Sequence, residues 1–107
     1  MQSKYFDITQ IQQRCRNGLI AMTNHLEKRM EERGFTRKEI VYAILHGEII
    51  EEYPQDFPHP SCLILGCTVA GRYLHVVVAV EPVLLRLVTV YEPDPNVFPD
   101  MKHRRRE

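Results

Sequence analysis

The chain predicts an α+β domain in which two or three N-terminal helices pack on one face of a four-stranded, mainly antiparallel sheet. Three observations lead there. Up to Gly47, apolar residues recur at helical spacing between capping residues. Beyond it, short stretches rich in Val, Leu and Ile take over, as strands require. Clusters of Pro and Gly then separate those stretches at hairpin-like distances. Helices first and antiparallel strands after give segregated layers, with the second sheet face left available.

Residues 5–16 carry Phe6, Ile8, Ile11 and Cys15 at roughly helical spacing, and Asn17-Gly18 stops them. Leu19 to Met22 form a small apolar patch. Thr23 or Asn24 then offers an N-cap, with Glu27 three residues after Asn24, for a helix ending at Arg33 before a left-handed Gly34. Thr36 and Glu39 form a second capping box, Ile40, Ala43 and Ile44 a buried stripe, and Gly47 a terminator. Strands follow at residues 48–53, 61–68, 72–80 and 84–91. Residues 54–60 hold three prolines and must be loop. Val69-Ala70-Gly71 suits a three-residue hairpin with Gly71 left-handed.

At 107 residues the chain is long enough for one core and too short for two. Its 14 Lys+Arg balance 14 Asp+Glu, so it lacks the global positive field of a duplex-coating protein, and nucleic-acid contact must come from local clusters. Cys15, Cys62 and Cys67 show neither disulfide nor zinc spacing and read as small buried side chains. No apolar signal core or membrane-length run is present, which predicts a cytoplasmic protein without membrane contact. No cofactor is expected.

One helix carries the main functional signal. At about 100° per residue, with His25 at zero, Arg29 falls near 40° and Arg33 near 80°, beside Leu26 near 100° and Met30 near 140°. An imidazole and two guanidiniums thus line one edge of the apolar stripe, with Glu32 beside His25 and with Lys28, Glu27 and Glu31 directed away. The sheet half adds Arg72, His75 and Tyr91; Arg86 reads as a surface residue. His, Tyr and Arg supply a base, an acid and fixed charge, which suffice for attack of an RNA 2′-hydroxyl on its neighbouring phosphate. Arg72 and His75 are three apart on one strand and face opposite sides unless a bulge intervenes. Each of these residues also has a structural reading: a helix flank snorkelling over core for the α-helical cations, a packed imidazole for His75, a hairpin surface residue for Arg72, a strand-end aromatic for Tyr91. Glu48, Glu51 and Glu52 read as a charged guard on an edge strand. The basic run from Lys102 to Arg106 reads as a frayed, solvated terminus with nucleic-acid contact as its alternative.

The blocks His25-x-x-x-Arg29-Met30-x-x-Arg33-Gly34, Gly47-Glu48-Ile49-Ile50-Glu51-x-Tyr53, Gly71-Arg72-x-Leu74-His75-Val76-Val77 and Val88-Thr89-x-Tyr91-x-Pro93 together resemble a bacterial family catalogued as domain of unknown function 4258. The resemblance implies a family core over about residues 19–95, a helical extension over 1–18 and a basic tail over 101–107 of a single domain. Members of the family resemble small toxins of toxin–antitoxin pairs with a RelE-like or MqsR-like fold, some encoded beside zinc-finger antitoxins. That likeness implies messenger-RNA cleavage without metal, an RNA substrate and a cognate antitoxin partner. Carried over by motif, His25, Arg29, His75 and Tyr91 take the catalytic places and Arg33 and Arg72 the substrate-binding ones. A non-catalytic module docking protein or nucleic acid on the same basic edge is the other reading of these residues. The neutral charge and the unaligned residues before Thr23 are departures from such toxins.

Overall fold

A computed structural model describes residues 6–105, so the expected helix start at Tyr5 and the tail's Arg106 lie outside the described residues. The elements run α1 (Ile8–Arg16), β1 (Ile20–Met22), α2 (Asn24–Arg33), α3 (Arg37–Leu45), β2 (Glu48–Tyr53), β3 (Ser61–Cys67), β4 (Tyr73–Val80) and β5 (Leu85–Tyr91). The three helices and the α+β class agree with the sequence reading. The sheet corrects it: among the described residues it has five strands in the order β1-β5-β4-β3-β2, with β1 parallel to β5 and the other pairs antiparallel. The extra strand, Ile20–Met22, lies in the apolar patch that starts at Leu19. Three residues are too few to show a period of two, and what makes them a strand is remote: Leu85 N–H donates to the Leu19 carbonyl at 2.9 Å and Thr23 N–H to the Leu87 carbonyl at 3.1 Å.

Local chemistry sets the helix ends. Thr23, rather than Asn24, caps α2, its Oγ1 accepting from Leu26 N–H at 3.0 Å while donating to the Val88 carbonyl at 2.7 Å. One hydroxyl therefore starts the helix and ties it to β5. Gly34 takes φ 72° at the end of α2, as the left-handed cap requires. The Thr36–Glu39 capping box opens α3, which closes on His46. Gly47 is not left-handed; a Cβ there would sit 2.6 Å from the carbonyls of Ala43 and Leu65, so close packing explains the glycine. α1 is held from the other side of the domain: Arg14 Nη1 donates to the Glu81 and Leu84 carbonyls at 2.6 and 3.0 Å, bracing the turn before β5.

The core lies between helices and sheet. Ile11, Cys15, Leu26, Phe35, Ile40, Ala43 and Ile44 pack on Cys62, Ile64, Leu74, Val76, Val78, Leu85, Leu87 and Val90. The opposite sheet face is laid out in three rows by strand register. Glu48, Leu65, His75 and Tyr91 form the first, Glu51, Leu63, Val77 and Thr89 the second, and Tyr53, Ser61, Ala79 and Arg86 the third.

That face is only partly available, where the sequence left it open. The segment after β5 crosses the first two rows, where Phe98 is buried at 3 % exposure and Leu63 at 0 % although neither belongs to the helix-side core. The described part of the basic tail is likewise anchored rather than frayed. Lys102 Nζ lies 2.6 Å from Glu48, Arg104 Nε 2.8 Å from Glu51, and Arg105 N–H donates to the Val97 carbonyl at 2.7 Å. Glu48 and Glu51 are therefore partners of the tail as well as part of a charged strand edge. No helix among the described residues is long and apolar enough to cross a membrane.

Candidate functional site

α2 presents its cations because Leu26 points straight down. With Leu26 fully buried, its neighbour His25 is turned to the rim, where a ring nitrogen meets Thr89 Oγ1 on β5 at 3.0 Å. His25, Lys28, Arg29 and Glu32 line a shallow hollow of about 210 Å³. Lys28 joins the hollow contrary to the wheel reading: about 60° of arc from His25 is within reach of a long lysine stem. Arg29 and Glu32 are 4.0 Å apart and both well exposed, a loose pair that an anion can compete with.

His75 and Tyr91 are neighbours in the first row of the helix-free face. His75 is fully buried. Its Nε2 faces the Met101 carbonyl at 2.7 Å, and since a carbonyl only accepts, Nε2 carries the proton. Nδ1 then holds a lone pair toward the Tyr91 hydroxyl at 3.3 Å, so the phenol donates to the imidazole. Phe98 stands edge-on to the same imidazole at 4.5 Å. Burial lowers the His75 pKa below the ordinary imidazole value, outweighing the Met101 hydrogen bond and Glu51, which act the other way. Burial raises that of Tyr91. The pair is a neutral imidazole with a protonated phenol.

Acid should therefore destabilise the fold. The unfolded chain binds a proton at the ordinary imidazole pKa and the folded chain only below it, so stability is complete above about pH 6.5 and falls as pH drops toward the lowered native value. Thermal midpoints between pH 8 and 5 are expected to decline in the native chain and to flatten over that window in His75→Gln. Equal slopes in both would show that His75 is not the group responsible.

Arg33 and Arg72 meet elsewhere. Arg72 Nη2 donates to the Arg33 carbonyl and pairs with Glu92, both at 3.0 Å, and its guanidinium lies 4.0 Å above the Phe35 ring. Phe35 belongs to the helix-side core, so Arg72 and His75 stand on opposite sheet faces, as strand alternation requires. The pairing with Glu92 raises the Arg72 pKa and leaves its charge largely matched. The six candidate residues thus form three pairs: His25 with Arg29 on the α2 rim, His75 with Tyr91 on the adjoining sheet face, and Arg33 with Arg72 on the helix side. The first two pairs are linked through β5, because Thr89 and Tyr91 are successive residues of one face, about 7 Å apart.

Three further residues complete the polar ground of that face. Glu51 takes hydrogen bonds from Tyr53 and Arg104, and these outweigh its burial and hold its carboxyl below the usual carboxylate range. Burial, aided by Glu51, pushes the Tyr53 phenol up to about 12. Sequence alternation hid this cluster because a bulge falls between Ile49 and Glu51, which brings Glu48 and Glu51, three apart, to the same face. Beside it, a hollow of about 500 Å³ is floored by Val77, Ala79 and Val88 and rimmed by the Asp56–Ser61 and Glu81–Arg86 pairs, with Phe57 94 % exposed at its mouth. The cysteines are free, and burial raises the Cys15 and Cys62 thiols to about 11 and 12, far from reactive.

A search of the curated proteins finds no match to this chain, and a search of the solved structures finds none either. Residues 22–92 match the family described as a domain of unknown function, DUF4258. The match runs from the last residue of β1 to the residue after β5, well over half of the chain, and takes in His25, Arg29, Arg33, Arg72, His75 and Tyr91 while leaving α1 and the segment over His75 outside. On that extent of match, the chain belongs to the DUF4258 family.

Proposed function

We propose that this protein is a metal-independent endoribonuclease, the toxin of a toxin–antitoxin pair with a RelE-like arrangement, which cleaves RNA by attack of a 2′-hydroxyl on the adjacent phosphate. The observation that carries the reading is the placement of His25 and Tyr91 at neighbouring same-face positions of β5, one through Thr89 and one directly, with Arg29 beside His25. His25 takes the 2′-hydroxyl proton as the O2′–P bond forms. Tyr91, kept protonated by its burial, gives a proton to the 5′-oxygen as the P–O5′ bond breaks. Arg29 offsets the charge on the crowded phosphorane. His75 positions the Tyr91 hydroxyl, and Arg33, one turn beyond Arg29 on α2, extends the cationic border, while Arg72, paired with Glu92 on the helix side, braces the end of that helix through the Arg33 carbonyl.

Purified protein with end-labelled single-stranded RNA in excess chelator, alone and with translating ribosomes, tests the reading. The expected products carry a 2′,3′-cyclic phosphate and a 5′-hydroxyl. A second reading, a module that binds nucleic acid or an acidic partner without breaking a bond, is favoured by the complete burial of His75 and by the commitment of Arg72 to Glu92. RNA bound and recovered intact under both conditions would decide for it.

A further inference from the structure

The His75–Tyr91 pair is closed by the chain's own C-terminal segment, and the groups that fasten the closure are those a polyanion would engage. Residues 94–105 lay Phe98 against the His75 ring and set the Met101 carbonyl on its Nε2 proton. Two ion pairs tie the segment down, Lys102 to Glu48 and Arg104 to Glu51, with Arg104 also 5.0 Å above the Phe98 ring. Both cations are open to solvent, Lys102 at 44 % and Arg104 at 56 % side-chain exposure, so phosphates can compete for them in water. Met101 itself holds φ at 67°, a left-handed conformation that a non-glycine residue adopts only under constraint. The contact that shuts over His75 is the strained one.

We propose that residues 94–105 are a displaceable cover, and that single-stranded RNA lifts it by replacing Glu48 and Glu51 with its own phosphates at Lys102 and Arg104. The cover then serves as a phosphate clamp while the His75–Tyr91 pair opens. Lifting leaves two carboxylates on β2 without their cations, Glu51 keeping only the Tyr53 hydroxyl, and they repel the RNA backbone from that strand toward β5 and the cations of α2. The choice of RNA as ligand rests on the function proposed above; the opening itself does not.

The test uses the full chain, a 2′-O-methyl single-stranded RNA that 2′-attack cannot cleave, and two readouts: RNA affinity at fixed salt, and the rate of His75 carbethoxylation by diethyl pyrocarbonate with exposed His25 as internal standard. In the native chain without RNA, His75 is expected to react at least about tenfold more slowly than His25. Glu48→Gln with Glu51→Gln, and separately Lys102→Ala with Arg104→Ala, both loosen the cover, so His75 reacts faster in each. Their RNA affinities should move oppositely, about tenfold tighter in the first, whose cations are released, and about tenfold weaker in the second. Glu52→Gln, on the same strand and without an ion pair among the described residues, controls for loss of a negative charge. A Glu48/Glu51 double variant that binds no tighter than Glu52→Gln overturns the clamp, and a native His75 as reactive as His25 overturns the cover. Neither readout needs a broken bond, so an inert protein that behaves as expected in both would overturn the endonuclease and leave the clamp standing.

Discussion

Replacing Gly66 with alanine is expected to lower stability by at least about 3 kcal/mol, and the thermal midpoint by roughly 12 °C or more. The cause is backbone against backbone. A Cβ on Gly66 would lie 2.1 Å from the Ala43 carbonyl oxygen, 2.5 Å from its carbon and 2.8 Å from its Cα. No rotamer relieves that clash, so α3 must lift from β3 and open the contact among Ala43, Ile44, Cys62 and Ile64 on which the helical layer rests. Two comparisons isolate the mechanism. Ala43→Gly should not rescue the variant, because the colliding atoms are main chain. Gly71→Ala, at φ 86° with open space around its Cβ, should cost only about 1–2 kcal/mol of left-handed strain. Urea or thermal melts of the three variants suffice, and a Gly66→Ala loss no larger than that of Gly71→Ala would mean that the helix–sheet approach is not what the glycine protects.

Gly66 also marks where sequence reasoning stopped. Features with local causes were legible: the Gly34 cap, the Thr36–Glu39 box, the left-handed Gly71 and the strand alternation that separates Arg72 from His75 all follow from a few neighbouring residues. Features with remote causes were not. β1 exists because β5 offers it hydrogen bonds some 65 residues away, as the 65-residue separation of Thr23 and Val88 illustrates. Glu51 shares a face with Glu48 because a bulge shifts the register, and bulges leave no mark in hydrophobic period. The burial of His75 depends on Phe98 and Met101, which follow two prolines and read as the end of regular structure. Part of the candidate site was therefore readable: His25 and Arg29 together on the edge of α2, and His75 and Tyr91 as separate candidates, but not the contact between those two, which strand register makes. The element that closes it lies in the stretch with the weakest local signal.

The decisive expectation for function concerns the exposed end of the site. His25→Gln should reduce RNA cleavage by about 10²–10⁴-fold, the range over which a single acid–base group acts, and Arg29→Ala by about 10²–10³-fold, as loss of one preorganised charge donor does. Both residues are at the rim, away from the buried stripe, so the thermal midpoint should change little in either. Glutamine is the sharper substitution at 25. Its amide can keep a hydrogen bond to Thr89 Oγ1, so the tie between α2 and β5 survives while the proton-transfer group is lost. Single-turnover rates with saturating RNA separate chemistry from binding, and the Arg29 variant should also bind the 2′-O-methyl strand more weakly where the His25 variant does not. In cells, the same two variants should relieve growth arrest on overexpression while accumulating as folded protein. Native cleavage rates in His25→Gln would remove the imidazole from the mechanism and turn the α2 rim into a docking edge alone, because His25 is the side chain through which that hollow is tied to Thr89 and so to the face of Tyr91.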